Sequence, residues 1–324
     1  MTDSTSTGGE RTAQPRLSRL TIVAGFALAA IVFLAEDALL SAPRHSAPGH
    51  RSVALEFTPV DFAGPATPPL QLAGAWRLRA DDRRLGGVSA LAVAGGGLVA
   101  ITDSGAVLRF PKPGANRPTI AIDLLPGEPG QAPPKSSRDS EALARDPQRR
   151  GWWVAFENRN LLRLYDHRFN RSLATIRFAR DRWPRNAGIE GVAAAPGALL
   201  LFPELGTSVV RVTGARAVEF PLDGAPTRIA DAAWAGGRLL LLERQPSLLG
   251  FTSALVEVRR AGGGYVKGRR YPLALGPRDN PEALAAEPLP GGGTRLWLMT
   301  DDNHQPWMRT LLVAYDLKGN PPAL

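Results

Sequence analysis

The stretch NAGIEGVAAAPGALLLFPELG, residues 186–206, shows how this chain builds its fold. It contains two short apolar runs separated by a Pro-Gly turn, with Glu190 before the first run and Glu204 after the second. Short apolar runs bounded by turn residues are typical of β-strands. Because the two strands of a hairpin are antiparallel, we predict that both glutamates lie at the same end of it.

The same pattern recurs in four other segments, which begin at residues 86, 137, 227 and 278. The intervals are 52, 49, 41 and 51 residues along the series Ser89, Glu141, Glu190, Asp231, Glu282. Repeats of about 40–50 residues with four strands each are typical of β-propeller blades. An up-and-down barrel would alternate more cleanly and would lack this period. We therefore predict an all-β fold, a β-propeller with six blades favoured and five as the alternative. The strand at residues 72–80 is expected to pair with the C-terminal sheet and close the ring.

Each repeat places a polar residue before its first strand and another after its second. In order, the pairs are Ser89/Asp103, Glu141/Glu157, Glu190/Glu204, Asp231/Glu243 and Glu282/Asp301, with Asp302 adjacent to the last. Four of these five pairs consist of two acids. Ring closure would bring the acids together around the mouth of the central channel.

Carboxylates crowded at a channel mouth repel one another unless some are protonated or a cation neutralises them. Oxygen ligands, no cysteine and only 4 histidines favour Ca²⁺ or another hard divalent cation over zinc. The predicted metal ligands are Glu141, Glu157, Glu190, Asp231, Glu243, Glu282, Asp301, Asp302 and Asn303. The alternative is that the acids accept backbone hydrogen bonds or form ion pairs with nearby arginines. The candidate arginines are Arg138, Arg159, Arg185, Arg228, Arg244 and Arg278.

The same rim offers residues for catalysis. The predicted catalytic residues are Glu190, Glu141, Glu282 and His304. His304 lies beside two carboxylates in TDDNHQPW, where a raised pKa would suit a general acid or a phosphate ligand. Three arginines are predicted to bind an anionic substrate, namely Arg159, Arg185 and Arg244.

The composition limits the partners and the chemistry. The net charge is +9, but no basic run with interleaved aromatic residues is present, so an anionic small molecule is favoured over nucleic acid. The absence of cysteine excludes disulfides, thiolate metal sites and cysteine nucleophiles. Sequence motifs of serine hydrolases, HExxH metalloproteases and P-loop proteins are also absent.

The N-terminus has the pattern of an export signal. Three arginines precede residues 20–35, a run of 16 uncharged and mostly apolar residues, and a small-x-small site follows at residues 40–42. We predict a signal peptide or membrane anchor over residues 1–42, with a buried core helix as the alternative. A Pro-rich linker is predicted over residues 43–71, with a short strand at residues 53–57, and the propeller over residues 72–324. The propeller is expected in the periplasm or another extracytoplasmic space, as a monomer whose contact with the membrane is limited to the N-terminal segment.

Four sequence blocks resemble the phytase-like domain family of exported bacterial proteins, also described by the esterase-like activity of phytase. They are DSEALARDP…WWVAFENRNLLRLYD, NAGIEGVA, LLLLER and NPEALAAE…LWLMTDDN, and the resemblance covers about residues 75–318. It implies a β-propeller behind a secretion signal and hydrolysis of phosphate or carboxylic esters. The site residues that it implies are Glu141, Glu157, Glu190, Glu243, Glu282, Asp302 and Asn303. The chain departs from the family pattern at Ser89, which replaces an acid, and at FENRN.

Two functions of different classes follow. The first is a metal-dependent hydrolase of phosphate or carboxylic esters, in which rim carboxylates hold Ca²⁺ and one carboxylate activates water. The second is a non-catalytic propeller that binds a ligand or a protein at the cell envelope.

Overall fold

A computed structural model describes residues 49–62, 68–127, 139–179, 182–183, 188–235, 237–247, 250–290 and 292–319. The chain divides into two compact units, Met1–Ala47 and Pro48–Leu324. The first unit, which includes all of the predicted signal or anchor (residues 1–42) and the start of the predicted linker, lies outside the described residues. Within the described ranges, no helix is long and apolar enough to cross a membrane.

The described part of Pro48–Leu324 consists of strands joined by turns and loops, with two short 3₁₀ turns at Arg83–Leu85 and Glu157–Arg159. The strands are β1 (Arg51–Pro59), β2 (Leu70–Ala80), β3 (Val88–Ala94), β4 (Gly97–Thr102), β5 (Ala106–Phe110), β6 (Thr119–Leu124), β7 (Ser140–Arg145), β8 (Trp152–Phe156), β9 (Leu161–Tyr165), β10 (Ser172–Arg177), β11 (Ile189–Ala195), β12 (Ala198–Pro203), β13 (Ser208–Thr213), β14 (Arg216–Asp223), β15 (Arg228–Ala235), β16 (Arg238–Ser247), β17 (Gly250–Ala261), β18 (Gly264–Pro272), β19 (Asn280–Pro288), β20 (Thr294–Asp301) and β21 (Leu311–Leu317).

These strands form five antiparallel blades of four strands each. Blades 1 to 4 are β3–β6, β7–β10, β11–β14 and β15–β18, and blade 5 is β19, β20, β21 and β2. The inner strands contact one another in a closed cycle, β3, β7, β11, β15, β19 and back to β3. The described residues therefore build a five-bladed β-propeller. The fold prediction is confirmed, but the preference for six blades is wrong and the alternative of five is right.

An N-terminal strand closes the ring, as predicted. β2 pairs with β21 as the outermost strand of blade 5, with Ala75 opposite Val313. β1 then pairs with both β2 and β6, and so links blade 5 to blade 1. The strand predicted at residues 53–57 is confirmed, and it is longer than expected. This part of the predicted linker is thus a strand of the propeller sheet.

Five apolar cores fill the spaces between neighbouring blades, one at each interface. Residues 199–202 of the opening hairpin illustrate why the runs are continuously apolar. Leu199 and Leu201 pack against blade 2, whereas Leu200 and Phe202 pack against blade 4. Side chains alternate between the two faces of a strand, so a strand covered on both faces needs apolar residues at every position.

Candidate functional site

Every inner strand has a β-bulge near its first residue, at the end of the ring where the second strand of the blade finishes. A bulge inserts one extra residue and changes the direction of the side chains beside it. The bulged residues are Ser89, Glu141, Glu190, Ala230 and Glu282. On the second strand of each blade, one residue pairs with the residue just before the bulge. The residues that directly follow this partner in the sequence are Asp103, Glu157, Glu204, Arg244 and Asp301. We call these ten residues the rim.

The rim carboxyls lie close enough to change one another's ionisation. Burial, reinforced by the charge of Glu157, raises the pKa of Glu190 to about 8. Burial and the charge of Glu190 raise the pKa of Glu141 well above its usual range. Burial, with a smaller contribution from Asp103, raises the pKa of Asp301 to about 7. The predicted convergence of acids from different blades is therefore confirmed for blades 1, 2, 3 and 5.

Three carboxylates in blade 2 form a tight cluster, in which candidate ligand oxygens of Asp139, Glu141 and Glu157 all lie within 4.8 Å of one another. Oxygens that bind one Ca²⁺ at about 2.3–2.6 Å cannot be much more than about 5 Å apart. All three side chains are partly exposed, so water has access to the cluster. The cluster could therefore hold a single metal ion, and its all-oxygen donor set fits a hard cation.

Asp139 was missed by the sequence analysis. It precedes β7, and its carbonyl accepts the N–H of Glu157 at 3.1 Å. Strand pairing aligns it with Gly87, Gly188, Arg228 and Asn280 in the other blades. An acid occurs at this position in blade 2 alone, so the repeat pattern contains no signal for it.

Blade 4 departs from the predicted pattern. Its bulge lies between Ile229 and Asp231, and Ile229 pairs with Glu243. The rim residues of blade 4 are consequently Ala230 and Arg244. The predicted rim pair Asp231/Glu243 is wrong by one residue, because the sequence does not reveal where a bulge shifts the register.

Asp231 and Glu243 instead have contacts that hold blade 4 in place, and each is 1% exposed. Asp231 accepts the backbone N–H groups of Ala232 and Leu284, both at 2.7 Å, and so connects β15 to β19. Glu243 forms ion pairs with Lys267, at 2.9 Å, and with Arg270, both on β18.

Arg244 introduces a positive charge into the acidic rim. Its guanidinium donates to Asn280 Oδ1 at 2.5 Å and forms an ion pair with Glu282. Burial lowers the pKa of Arg244, while the charges of Glu190 and Glu204 act in the opposite direction. These contacts agree with the alternative in which rim acids pair with arginines.

A second arginine stands beside Arg244. Arg228 forms an ion pair with Glu204, and the Arg228 side chain is 52% exposed. The rim therefore has an acidic side, formed by blades 5, 1, 2 and 3, and a side at blade 4 where two guanidinium groups neutralise Glu204 and Glu282.

The loop after β20 carries three further predicted residues. Asp302 Oδ1 accepts the N–H of His304 at 2.9 Å, and Asp301 Oδ1 accepts the N–H of Asn303 at 2.8 Å. Asn303 and His304 are exposed, and the His304 ring lies against Gly87 at the start of blade 1. Asp301 and Asp302 thus order this turn, which leaves His304 at the edge of the rim.

The remaining predicted residues are placed as follows. Arg159 ends the 3₁₀ turn that starts at Glu157, next to the three-carboxylate cluster. Ser89 donates to the carbonyl of Ser140 at 2.5 Å and so has a structural contact where blades 2, 3 and 5 have a glutamate. Arg185, predicted to bind substrate, lies outside the described residues.

Two glycines of the opening stretch have physical reasons to be there. A Cβ on Gly188 would lie 2.6 Å from Cγ of Glu157, and the Gly188 N–H donates to Glu157 Oε1 at 3.3 Å. A Cβ on Gly191 would lie 3.0 Å from backbone and Cβ atoms of Ala232 on the next inner strand. The pattern G-I-E-G therefore lets blade 3 approach both neighbours while Glu190 is bulged between them.

Fold and site together define a five-bladed propeller whose channel mouth carries interacting carboxylates. The family model Phytase-like, described as esterase-like activity of phytase, matches residues 83–304, and the chain belongs to this family. A comparison with curated proteins finds no match.

Several solved structures are similar to this chain at low identity. A Myxococcus xanthus glutaminyl cyclase is 16% identical with a TM-score of 0.47, over 77% of this chain and 97% of that one. A Mitotic Checkpoint Complex chain is 15% identical with a TM-score of 0.41, over 76% and 69%. A Kuenenia stuttgartiensis hydrazine synthase chain is 10% identical with a TM-score of 0.38, over 70% and 62%.

Proposed function

We propose that this protein is an exported, metal-dependent hydrolase that cleaves phosphate or carboxylic esters at the rim. One observation carries the proposal: a three-carboxylate cluster and two arginines lie on different sides of Glu190, whose pKa is raised to about 8. Perturbed titratable groups that converge in a concave site are typical of active sites. The apolar run at residues 20–35 supports export, with the propeller on the extracytoplasmic side.

Asp139, Glu141 and Glu157 would hold the cation, and Ca²⁺ is the ion that their oxygen ligands favour. A bound divalent cation supplies Lewis-acid polarisation of a phosphoryl or carbonyl oxygen and lowers the pKa of bound water. The three carboxylates would also be deprotonated together only when a positive charge offsets their mutual repulsion.

Glu190 is the residue proposed to transfer a proton. Burial keeps the proton on its carboxyl at neutral pH, so that it can be donated to the oxygen of the leaving group. Since a nearby positive charge lowers a carboxyl pKa, Glu190 in the loaded site would titrate nearer to neutrality, where general acid–base catalysis is most effective.

Arg244 and Arg228 would orient the substrate. Their planar guanidinium groups can bind two oxygens of a phosphate or carboxylate at once. Both are already ion-paired with rim acids. These ion pairs keep the guanidinium groups in position and partly neutralise their charge. The non-catalytic alternative, a ligand-binding propeller, uses the same cation cluster and the same arginines without turnover.

The test measures hydrolysis of p-nitrophenyl phosphate and p-nitrophenyl acetate by the full chain in EDTA, Ca²⁺ or Mg²⁺. We expect turnover of at least one ester only with a divalent cation, and a decrease of kcat by about 100-fold in Glu190→Gln. Calorimetry should show Ca²⁺ affinity at least about tenfold weaker in Glu141→Gln, since a charged ligand is lost.

Glu56→Gln is the matched control. Glu56 is exposed on β1, which pairs with the outermost strands of blades 5 and 1, whereas the rim lies at the inner strands. It should retain wild-type turnover and Ca²⁺ affinity. Ca²⁺ binding without turnover of either ester would favour the ligand-binding alternative. Turnover that is equal in EDTA and Ca²⁺ would contradict the metal-dependent mechanism.

A further inference from the structure

The strand hairpin of blade 4 continues past the rim, unlike the hairpins of the other blades. In blades 1, 2 and 3 the second strand ends one residue before the rim residue, and in blade 5 it ends at the rim residue. In blade 4, β16 extends to Ser247, three residues beyond the rim residue Arg244, and pairing with β17 continues up to Ser247 opposite Gly250. This extension is about 10 Å long at about 3.4 Å per residue. We call residues 245–247 and 250–252 the hairpin tip.

The hairpin tip is fixed to the loop that follows β18. The N–H of Phe251 donates to the carbonyl of Pro277 at 2.7 Å. A Cβ on Gly250 would lie 1.8 Å from the same carbonyl oxygen, so this approach requires a glycine. The loop itself is held by Asp279, which forms an ion pair at 2.7 Å with Arg309 in the loop after β20. The hairpin tip therefore has a fixed position beside the rim.

Phe251 is the aromatic side chain that the hairpin tip brings to the rim. In the register of the hairpin it lies opposite the residue two beyond Arg244, and residues two apart on a strand share a face. The guanidinium carbon of Arg244 lies 5.3 Å from the centroid of the Phe251 ring. Leu242, two residues before Arg244, packs against blade 5. Phe251 and Arg244 therefore lie on the same side of blade 4, the side that faces Glu282.

Arg244 has hydrogen-bond donors left for a ligand. Its contacts with Asn280 Oδ1 and with Glu282 both use Nη1. Within the described ranges, neither Nε nor Nη2 donates a hydrogen bond, and this edge of a guanidinium matches the two oxygens of a carboxylate. Phe251 is partly exposed. A group attached to a carboxylate bound at this edge can therefore reach the Phe251 ring.

The charge of the rim favours a substrate with little negative charge. Among the described residues, the rim acids and Asp139 together are eight carboxyls, against the two arginines Arg228 and Arg244. The rim remains negative after a divalent cation has bound and Glu190 has kept its proton. Because like charges repel, a neutral carboxylic ester is favoured over a phosphate ester with two negative charges.

We propose that Phe251 is a specificity-determining residue of the rim and that the site takes carboxylic esters whose acid part carries an aryl group. Nε and Nη2 of Arg244 bind the carboxyl oxygens, and the aryl group packs against the Phe251 ring. Hydrolysis by water breaks the acyl C–O bond and leaves an aryl carboxylate and an alcohol. The substrate class rests on the ester hydrolysis proposed above, whereas recognition of the aryl carboxylate is measurable without turnover.

The first measurement is a ligand-detected NMR titration of the full chain in Ca²⁺ with benzoate and with acetate, which lacks the aryl group. We expect benzoate to bind at least about tenfold more tightly, since the ring is buried against Phe251. In Phe251→Ala the benzoate affinity should fall by about tenfold, with acetate changed by less than about threefold. A phenylalanine that only holds Arg244 in place would lower both affinities equally, and this result overturns the proposal.

Further variants separate the ring from the fold. Phe251→Tyr should keep the wild-type preference for benzoate, because it keeps the ring. Phe251→Val keeps the β-propensity of the strand and should lose the preference as Phe251→Ala does, and it serves if Phe251→Ala lowers the melting temperature. Phe57→Ala is the matched control, because Phe57 is a partly buried phenylalanine on β1, outside the rim. A preference that survives in the folded Phe251→Val overturns the proposal.

Turnover separates this inference from the hydrolase proposal. Relative to the uncatalysed rates, kcat/KM for p-nitrophenyl benzoate should exceed that for p-nitrophenyl acetate by at least about tenfold, and Phe251→Ala should abolish the difference. Benzoate binding that depends on Phe251, without turnover of any ester, would contradict the hydrolase proposal and support the aryl site. Turnover together with equal binding of benzoate and acetate would support the hydrolase and overturn the aryl site.

Discussion

Arg244 is the residue at which the rim changes from acidic to cationic. It occupies the position that Asp103, Glu157, Glu204 and Asp301 occupy in the other blades. With an acid there, every blade would add negative charge to the same channel mouth. The guanidinium instead neutralises Glu282 and gives the site a place for an anion.

Replacing Arg244 tests this role at the residue scale. Arg244→Gln leaves the partly buried Glu282 without its cation, so the free energy of unfolding should decrease by about 3 kcal/mol at neutral pH. Urea denaturation measures the change, with Arg216→Gln as the exposed-arginine control. A variant as stable as the wild type at pH 7 would mean that Glu282 does not depend on this ion pair.

At this scale the sequence predicted most of the rim correctly. Glu141, Glu157, Glu190 and Glu282 lie where the hairpin pattern put them. Asp231 and Glu243 do not, because their distance from the rim depends on a bulge that shifts the register by one residue. Asp139 could not be predicted, since the equivalent residues of other blades are not acidic.

The bulged inner strand is the element on which the site depends. The bulge re-aims the side chain of the rim residue, which is no longer bound by the alternation between the two faces of the strand, while the residues on either side of it still pack into the apolar cores. In β11 the residue after the bulge is Gly191, which lies against Ala232 on β15. Close packing of two inner strands therefore requires a residue without a side chain at this position.

Gly191→Ala tests the packing of this element. Its Cβ would lie 3.0 Å from three atoms of β15, so we expect a loss of about 1–3 kcal/mol in the free energy of unfolding. Gly263→Ala is the matched control, because a Cβ at Gly263 meets nothing within 4 Å. Its effect should stay within about 0.5 kcal/mol. Equal stability of the two variants in urea denaturation would show that the contact between blades 3 and 4 accommodates a methyl group at this position.

Ring closure gives the whole molecule a pH dependence that no single blade would have. Glu190 and Asp301 have folded-state pKa values of about 8 and about 7, against ordinary values of 4.5 and 3.8. Between these limits the folded state holds protons that the unfolded chain has released. Stability therefore falls as the pH rises from about 4.5 to about 8.

We expect the melting temperature in EDTA to be lower at pH 8 than at pH 5.5 by roughly 5 °C. Carboxyls with lowered pKa values, such as Asp82 and Asp146, change the pH dependence of stability only below about pH 4, where the unfolded chain begins to protonate them. They do not offset the trend between pH 5.5 and pH 8. Saturating Ca²⁺ should restore the melting temperature at pH 8, because a ligand at 100 times its Kd adds about 2.7 kcal/mol to the free energy of unfolding. Scanning calorimetry at the two pH values makes the comparison, with Glu190→Gln expected to show a weaker dependence. A melting temperature that increases towards pH 8 in EDTA would contradict the raised pKa values.

The sequence by itself determined the class of fold, because short apolar runs, turns and a period near 50 residues are local features. It also determined that β2 closes the ring and that acids meet at one end of it, since both follow from antiparallel pairing. Only the tertiary structure decided the number of blades, because ring closure depends on the angle at which neighbouring inner strands pack. It also decided that Arg244 replaces an acid and that Asp139 joins Glu141, because a bulge and the approach of separate segments are set by contacts between strands.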